Sequence, residues 1–214
     1  MDKKTAIKIY LKTFLGTNDK DIADKIHEIS KVVTVKAKEN LFREDDNAEY
    51  MYFVISGTIK LYRVSNDGKE IVIRIVSPQE IFAEATLARL QKYPVSSTAI
   101  KKSELLAIDV EQMRKIACEN PEFMMQLLEA MTVQLKYMLD TISSLISDNT
   151  AGRLIKYLKN LSQNANNESF TLPISKSELS LLLGTTPETV SRIFKKLKND
   201  GVIKQTGKKI ELLK

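Results

Sequence analysis

One cysteine and one histidine among 214 residues leave little material for metal or thiol chemistry. Cys118 has no partner for an intrachain disulfide and cannot hold an iron–sulfur cluster alone, since such clusters draw on several thiolates. His27 cannot supply the histidine/carboxylate cluster that a metalloenzyme on a small β-barrel needs. No phosphate-cradling glycine-rich loop, nucleophile elbow or Cys–His pair is present, so the chain reads as a non-enzyme with no metal site. Long apolar runs are missing too: none approaches the ~20 residues that cross a bilayer. The amino-terminal MDKKTAIKIYLKTFLG is too charged for the apolar core of a secretory signal. Together these absences predict a cytoplasmic protein with no membrane partner.

What is present is positive charge, unevenly placed. The chain carries 33 Lys/Arg and 27 Asp/Glu, a net of +6. Residues 150–214 hold 12 basic against 5 acidic residues, and residues 1–149 hold 21 against 22. The positive excess therefore sits entirely in the last third, where a protein that neutralises DNA phosphates would concentrate it.

That third contains SKSELSLLLGTTPETVSRIFKKLKNDG, Ser175–Gly201. Ser175 and Glu178 have capping-box spacing, and Leu179, Leu182 and Leu183 give the helix after them an apolar face. Gly184 suits the left-handed residue that ends a helix; Thr186 caps a second helix and Pro187 fits its first turn. In that second helix Val190, Ile193, Phe194 and Leu197 share the inner side. Glu188, Thr189, Ser191, Arg192, Lys195 and Lys196 are left for the outer side. This is the pattern of a helix–turn–helix whose second helix enters a major groove of double-stranded DNA. Ser175, Lys176, Thr186, Glu188, Thr189, Ser191, Arg192 and Lys195 are the candidate DNA contacts. Val202–Gln205 and Lys209–Leu213 read as two short strands about a turn at Gly207, a wing.

Upstream, residues 5–31 look helical with a break at Gly16–Asp19. Short β-type runs follow at Val32–Val35, Tyr50–Ser56, Thr58–Ser65, Glu70–Val76, Ser96–Lys101 and Glu104–Asp109. They are separated by turn signals such as Ser56-Gly57 and Asn66-Asp67-Gly68. Their spacing predicts an antiparallel sandwich or jelly-roll barrel. Asp109 caps a helix to about Ala117. Pro121 starts a longer one to about Ser147, in which Met124, Leu128, Met131, Leu135, Met138, Ile142 and Leu145 repeat at 4-3-4-3-4-3. Such a seam pairs helices in a two-stranded coiled coil, hence a homodimer. Leu127, Leu139 and Ile146 widen the apolar face enough for the helix to serve its own barrel as well. The expected fold is α+β: a sensing barrel with flanking helices over 1–118, a dimerisation helix and hinge over 119–149, and a winged helix–turn–helix over 150–214.

In this order the parts resemble the CRP/FNR superfamily of bacterial transcription regulators. The resemblance is carried by Asn40–Phe42 with Arg43-Glu44-Asp45, by Tyr52-Phe53-Val54-Ile55-Ser56-Gly57, by Ile81-Phe82-Ala83-Glu84 and by Pro187–Gly201. It implies a fold with a cyclic-nucleotide-binding-like barrel and an effector pocket at Phe82, Ala83, Glu84, Ala85, Val95, Ser96 and Ser97. It also implies a small-molecule or gas effector and, if the protein is an activator, contact with RNA polymerase. Glu188-x-x-Ser191-Arg192 looks like the E-x-x-S-R set of the FNR-like branch, which reads TTGA-type half-sites. Proline at 187 stands where the cyclic-AMP-responsive branch has an arginine. Cyclic-nucleotide-binding relatives carry Phe-Gly-Glu for the ribose and, ten residues after the glutamate, an arginine for the phosphate; here those positions read Phe82-Ala83-Glu84 and Pro94. The segments Phe82-Ala83-Glu84-Ala85 and Tyr93-Pro94-Val95 are most similar to the DNR/HcpR branch, implying haem and nitric-oxide sensing, although no haem ligand is evident. His27 reads as a half-exposed structural histidine and Cys118 as buried filler. A cyclic-nucleotide-responsive regulator and an effector-independent one stay open as alternatives.

Overall fold

The computed structural model describes residues 1–88, 91–147, 149–165 and 169–213, with backbone only at 137, 140, 141, 144–147, 164 and 165. Two compact units divide the chain, Met1–Leu135 and Lys136–Lys214.

The first unit opens with α1 (Lys3–Tyr10), a π-helical turn (Leu11–Leu15) and α2 (Lys20–Glu28). Asp2 and Asp19 cap the two helices through their carboxylates, and Gly16 breaks the run in left-handed backbone. An antiparallel barrel follows, built from β1 (Ser30–Val35), β2 (Asn40–Phe42), β3 (Tyr50–Val64), β4 (Glu70–Val76), β5 (Ile81–Phe82) and β6 (Ser96–Asp109). The strand order is β1-β6-β3-β4, with β2 added to β6 and β5 to β3. Two pairs of runs that read separately in the sequence are single strands. Gly57 (φ +102°) kinks β3 instead of ending it, because β3 passes close against Ser103 of β6 there. The chain kinks in β6 likewise, where the β3–β6 register shifts near Thr58.

Alternation along β3 and β6 separates two cores. Met51, Phe53, Ile55, Leu106 and Ile108 face a core shared with α1, α2, α3 (Val110–Glu119) and the start of α4 (Pro121–Ser147). Tyr52, Val54, Ile59, Leu61, Leu105 and Ala107 face the barrel lumen, with Phe42, Phe82 and Tyr93. Asp109 caps α3 as its sequence implies. Phe123, Leu127 and Ala130 of α4 are buried in the helical core, whereas Leu139 is exposed.

In the second unit α5 (Thr150–Ala165) precedes β7 (Ser169–Thr171), α6 (Lys176–Leu182), α7 (Pro187–Asn199), β8 (Ile203–Thr206) and β9 (Lys209–Leu212). The three strands form one sheet, β7-β9-β8, to which β7 is an addition the sequence pattern did not announce. Among the described residues no helix is long and apolar enough to cross a membrane.

Candidate nucleic-acid interface and effector pocket

The N-terminus of each helix in the α6–α7 pair is fixed by a named side chain. The Glu178 amide donates to Ser175 Oγ at 3.2 Å while the Ser175 amide donates to Glu178 Oε2 at 2.8 Å, closing a capping box. Gly184 holds φ +62° in the turn. The Thr189 amide donates to Thr186 Oγ1 at 3.3 Å, and Pro187 occupies the first turn of α7. Val190, Phe194 and Leu197 are buried beneath α7, so Glu188, Ser191, Arg192 and Lys195 stand exposed on its opposite side. Glu188, Ser191 and Arg192 are spaced i, i+3, i+4 and form one surface. Thr189 is half-buried and takes part in the cap with Thr186. Lys176 is half-buried with its ammonium 5.0 Å above the Phe194 ring, so it braces α6 against α7. Sequence reasoning missed Arg153: from α5 its Nη2 donates to the Leu183 carbonyl at 3.0 Å, anchoring the end of α6. In the wing, Lys204, Lys208 and Lys209 are exposed.

Along α4, Met124, Leu128, Leu135, Met138 and Ile142 are 42%, 55%, 58%, 46% and 53% exposed, and Met131 is half-buried. The Leu145 and Ile146 side chains and the hinge residue Asp148 lie outside the described residues.

Aromatic side chains line the barrel pocket. Phe82 is fully buried, stacked with Tyr52 at 5.1 Å between centroids, and Phe42 stacks on Tyr93 at 3.7 Å. Tyr93 Oη donates to the Tyr50 carbonyl and accepts from the Tyr50 amide. Ala83 adopts φ +62°, left-handed backbone that glycine takes more readily. Glu84 is buried, and burial pushes its carboxyl above the usual range while the Arg74 guanidinium pulls it back. Arg74 Nη1 lies 3.9 Å from Glu84 Oε1, and its Nη2 lies 3.6 Å from Glu80 Oε2. Ala85 is exposed and Val95 half-buried. Ser96 Oγ accepts from the Glu44 amide at 3.0 Å; Ser97 is fully buried and its hydroxyl has no hydrogen-bond partner among the described residues. Pro94 has no charged side chain of its own, and its carbonyl accepts from Arg63 Nε at 2.8 Å.

Among the described residues, the lumen offers no ready axial ligand for haem. His27 lines an open groove of about 560 Å³ between α1 and α2 with Lys4, Lys8, Lys20, Asp24 and Glu28, outside the lumen. Cys118, near the end of α3, is exposed: α3 buries Met113, Ile116 and Ala117, and Cys118 falls off that face, correcting the expectation of buried filler. Tyr52 and Tyr93 both belong to the lumenal cluster, and burial pushes the ionisation of each upward, away from the phenolate an axial ligand would need.

A cyclic nucleotide-binding domain model matches residues 32–120, and a Crp-like helix-turn-helix domain model matches residues 152–214. The transcriptional activator protein Anr of Pseudomonas protegens is 28% identical over 205 residues, 93% of this chain and 82% of Anr. The structure of FixK2 from Bradyrhizobium japonicum aligns with a TM-score of 0.80 at 22% identity, covering 87% of this chain and 93% of that one. DNR from Pseudomonas aeruginosa aligns with a TM-score of 0.57 at 24% identity, over 100% and 96%.

Proposed function

Since the chain belongs to the CRP/FNR family of DNA-binding transcription regulators, we propose that it acts as a homodimer that reads a TTGA-type palindrome under the control of an effector in the barrel. One observation carries the reading of the target: Glu188, Ser191 and Arg192 form a single exposed surface on α7, opposite the buried Val190, Phe194 and Leu197. A glutamate there accepts from cytosine N4, and an arginine donates to guanine O6 and N7. With Pro187 at the first turn, a third charged contact from that position is absent. Two copies related by a twofold axis through the exposed α4 seam would present two such helices about one DNA turn apart. Effector binding would shift the packing of α4 and reset the half-site spacing by rotation near residues 148–149. Such a regulator works in the cytoplasm and, as an activator, against RNA polymerase.

The test is equilibrium binding to a TTGA palindrome and to duplexes changed one base at a time. Arg192→Ala should lose about 1–3 kcal/mol of discrimination at the guanine while other positions keep theirs. Equal weakening on every duplex would show that Arg192 touches phosphate only and would overturn the base-reading assignment.

A further inference from the structure

Reading the barrel as an effector chamber leaves the ligand unnamed, and β4 carries information about it. Its alternation is regular but the residue types are unexpected: Ile71 and Ile73 are exposed, while Arg74, its side chain 14% exposed, sits between the buried Val72 and Val76. Two isoleucines in water and a guanidinium inside forgo apolar burial and add a desolvation cost. The internal partners of Arg74 recover only part of that cost. Its contacts to Glu80 and Glu84, at 3.6 and 3.9 Å, are ion pairs longer than a hydrogen bond.

The register places a second polar group opposite it. Arg74 pairs with Leu61, Leu61 with Ser97, and Ser97 with Phe42, so these four residues form one row across β4, β3, β6 and β2. Paired residues share a face, and Leu61 and Phe42 belong to the lumenal core. Arg74 and Ser97 therefore face the same chamber two strands apart, roughly 10 Å between Cα atoms. Ser97 is fully buried and its hydroxyl has no hydrogen-bond partner among the described residues, a costly state in a native interior.

We propose that the lumen binds an oxyanion, the carboxylate or phosphate group of a small molecule, between the Arg74 guanidinium and the Ser97 hydroxyl. The guanidinium fork donates two parallel N–H groups to such a group, and the serine supplies a further O–H. Phe42, Tyr52, Phe82 and Tyr93 then wall the remainder of the ligand with apolar surface. Glu84 stands 3.9 Å from the same guanidinium, and burial raises its carboxyl pKa, which lessens the repulsion an incoming anion would meet there. The proposal rests on the effector-chamber reading and is independent of the DNA contact.

Calorimetric titration of the full-length protein with inorganic phosphate and, separately, with succinate tests it and distinguishes the two sources of the oxyanion. Saturable binding of one of them is expected, weakened at least about tenfold in Arg74→Met through loss of charge-assisted hydrogen bonds. Ser97→Ala removes a hydroxyl with no partner among the described residues, so it should unfold no earlier than the parent yet also bind more weakly. Neither anion binding, or both variants binding like the parent, would overturn the proposal. Intact binding to the TTGA duplex in those same samples would show that the regulator reading survives that failure.

Discussion

In the proposed dimer, shortening Leu128 to alanine should loosen the association by an amount that follows from its exposure in a single chain. Leu128 is 55% exposed. Full burial of a leucine is worth about 1.5–3 kcal/mol, so the share left to a partner is about 0.8–1.6 kcal/mol per chain. A twofold interface removes it twice, and the dimer should weaken by about 2–3 kcal/mol, roughly 30- to 150-fold in dissociation constant. Sedimentation equilibrium across the monomer–dimer transition reads this directly. Val133 supplies the control: it is 71% exposed but falls outside the 4-3 repeat, so Val133→Ala should leave the constant unchanged. A Leu128→Ala protein that dimerises like the parent would refute the seam, as would a Val133→Ala protein that loosens equally.

Three other expectations concern stability. Glu84 has a folded-state pKa raised by burial above its ordinary 4.5, so the folded protein holds its proton more tightly and loses stability as pH rises from about that value. Urea unfolding of Glu84→Gln against the parent should show the variant's relative stability growing from pH 4.5 to pH 7; a constant difference would remove the buried-acid argument. Gly57→Ala would drive a Cβ into Ser103 Oγ in left-handed backbone, and should cost about 2–5 kcal/mol in chemical unfolding. Ser175→Ala removes the cap of α6 and should cost about 0.5–2 kcal/mol, seen as a lower melting temperature of the transition that carries the second unit.

Helix ends were legible because the residues that make them are local: Asp109, Ser175, Thr186 and Gly184 each act on neighbours within a few positions. Strand ends were harder. Ser56-Gly57 reads as a turn, and only the approach of Ser103, a residue 46 positions later, turns it into a kink within one strand. β7 is three residues long, too short for a period, and its existence depends on pairing with β9. Arg74 was missed for a related reason. A lone arginine in EIVIRIV suggests a surface, yet its parity with Val72 and Val76 gave the opposite answer. Cys118 shows the same dependence, since one position along α3 decides between the core and water.

The alternation of β3 and β6 gives the lumen and the α4 helix a common wall one pleat thick. Tyr52 and Ala107 look into the chamber; their chain neighbours Phe53 and Leu106 belong to the same packed cluster as Phe123 and Leu127. A close-packed interior has no slack to absorb a displaced ring. Whatever enters the chamber and moves Tyr52 therefore pushes, through the strand itself, on the root of the helix that carries the seam. The barrel wall is thereby a lever as well as a container, with its fulcrum in the backbone of two strands.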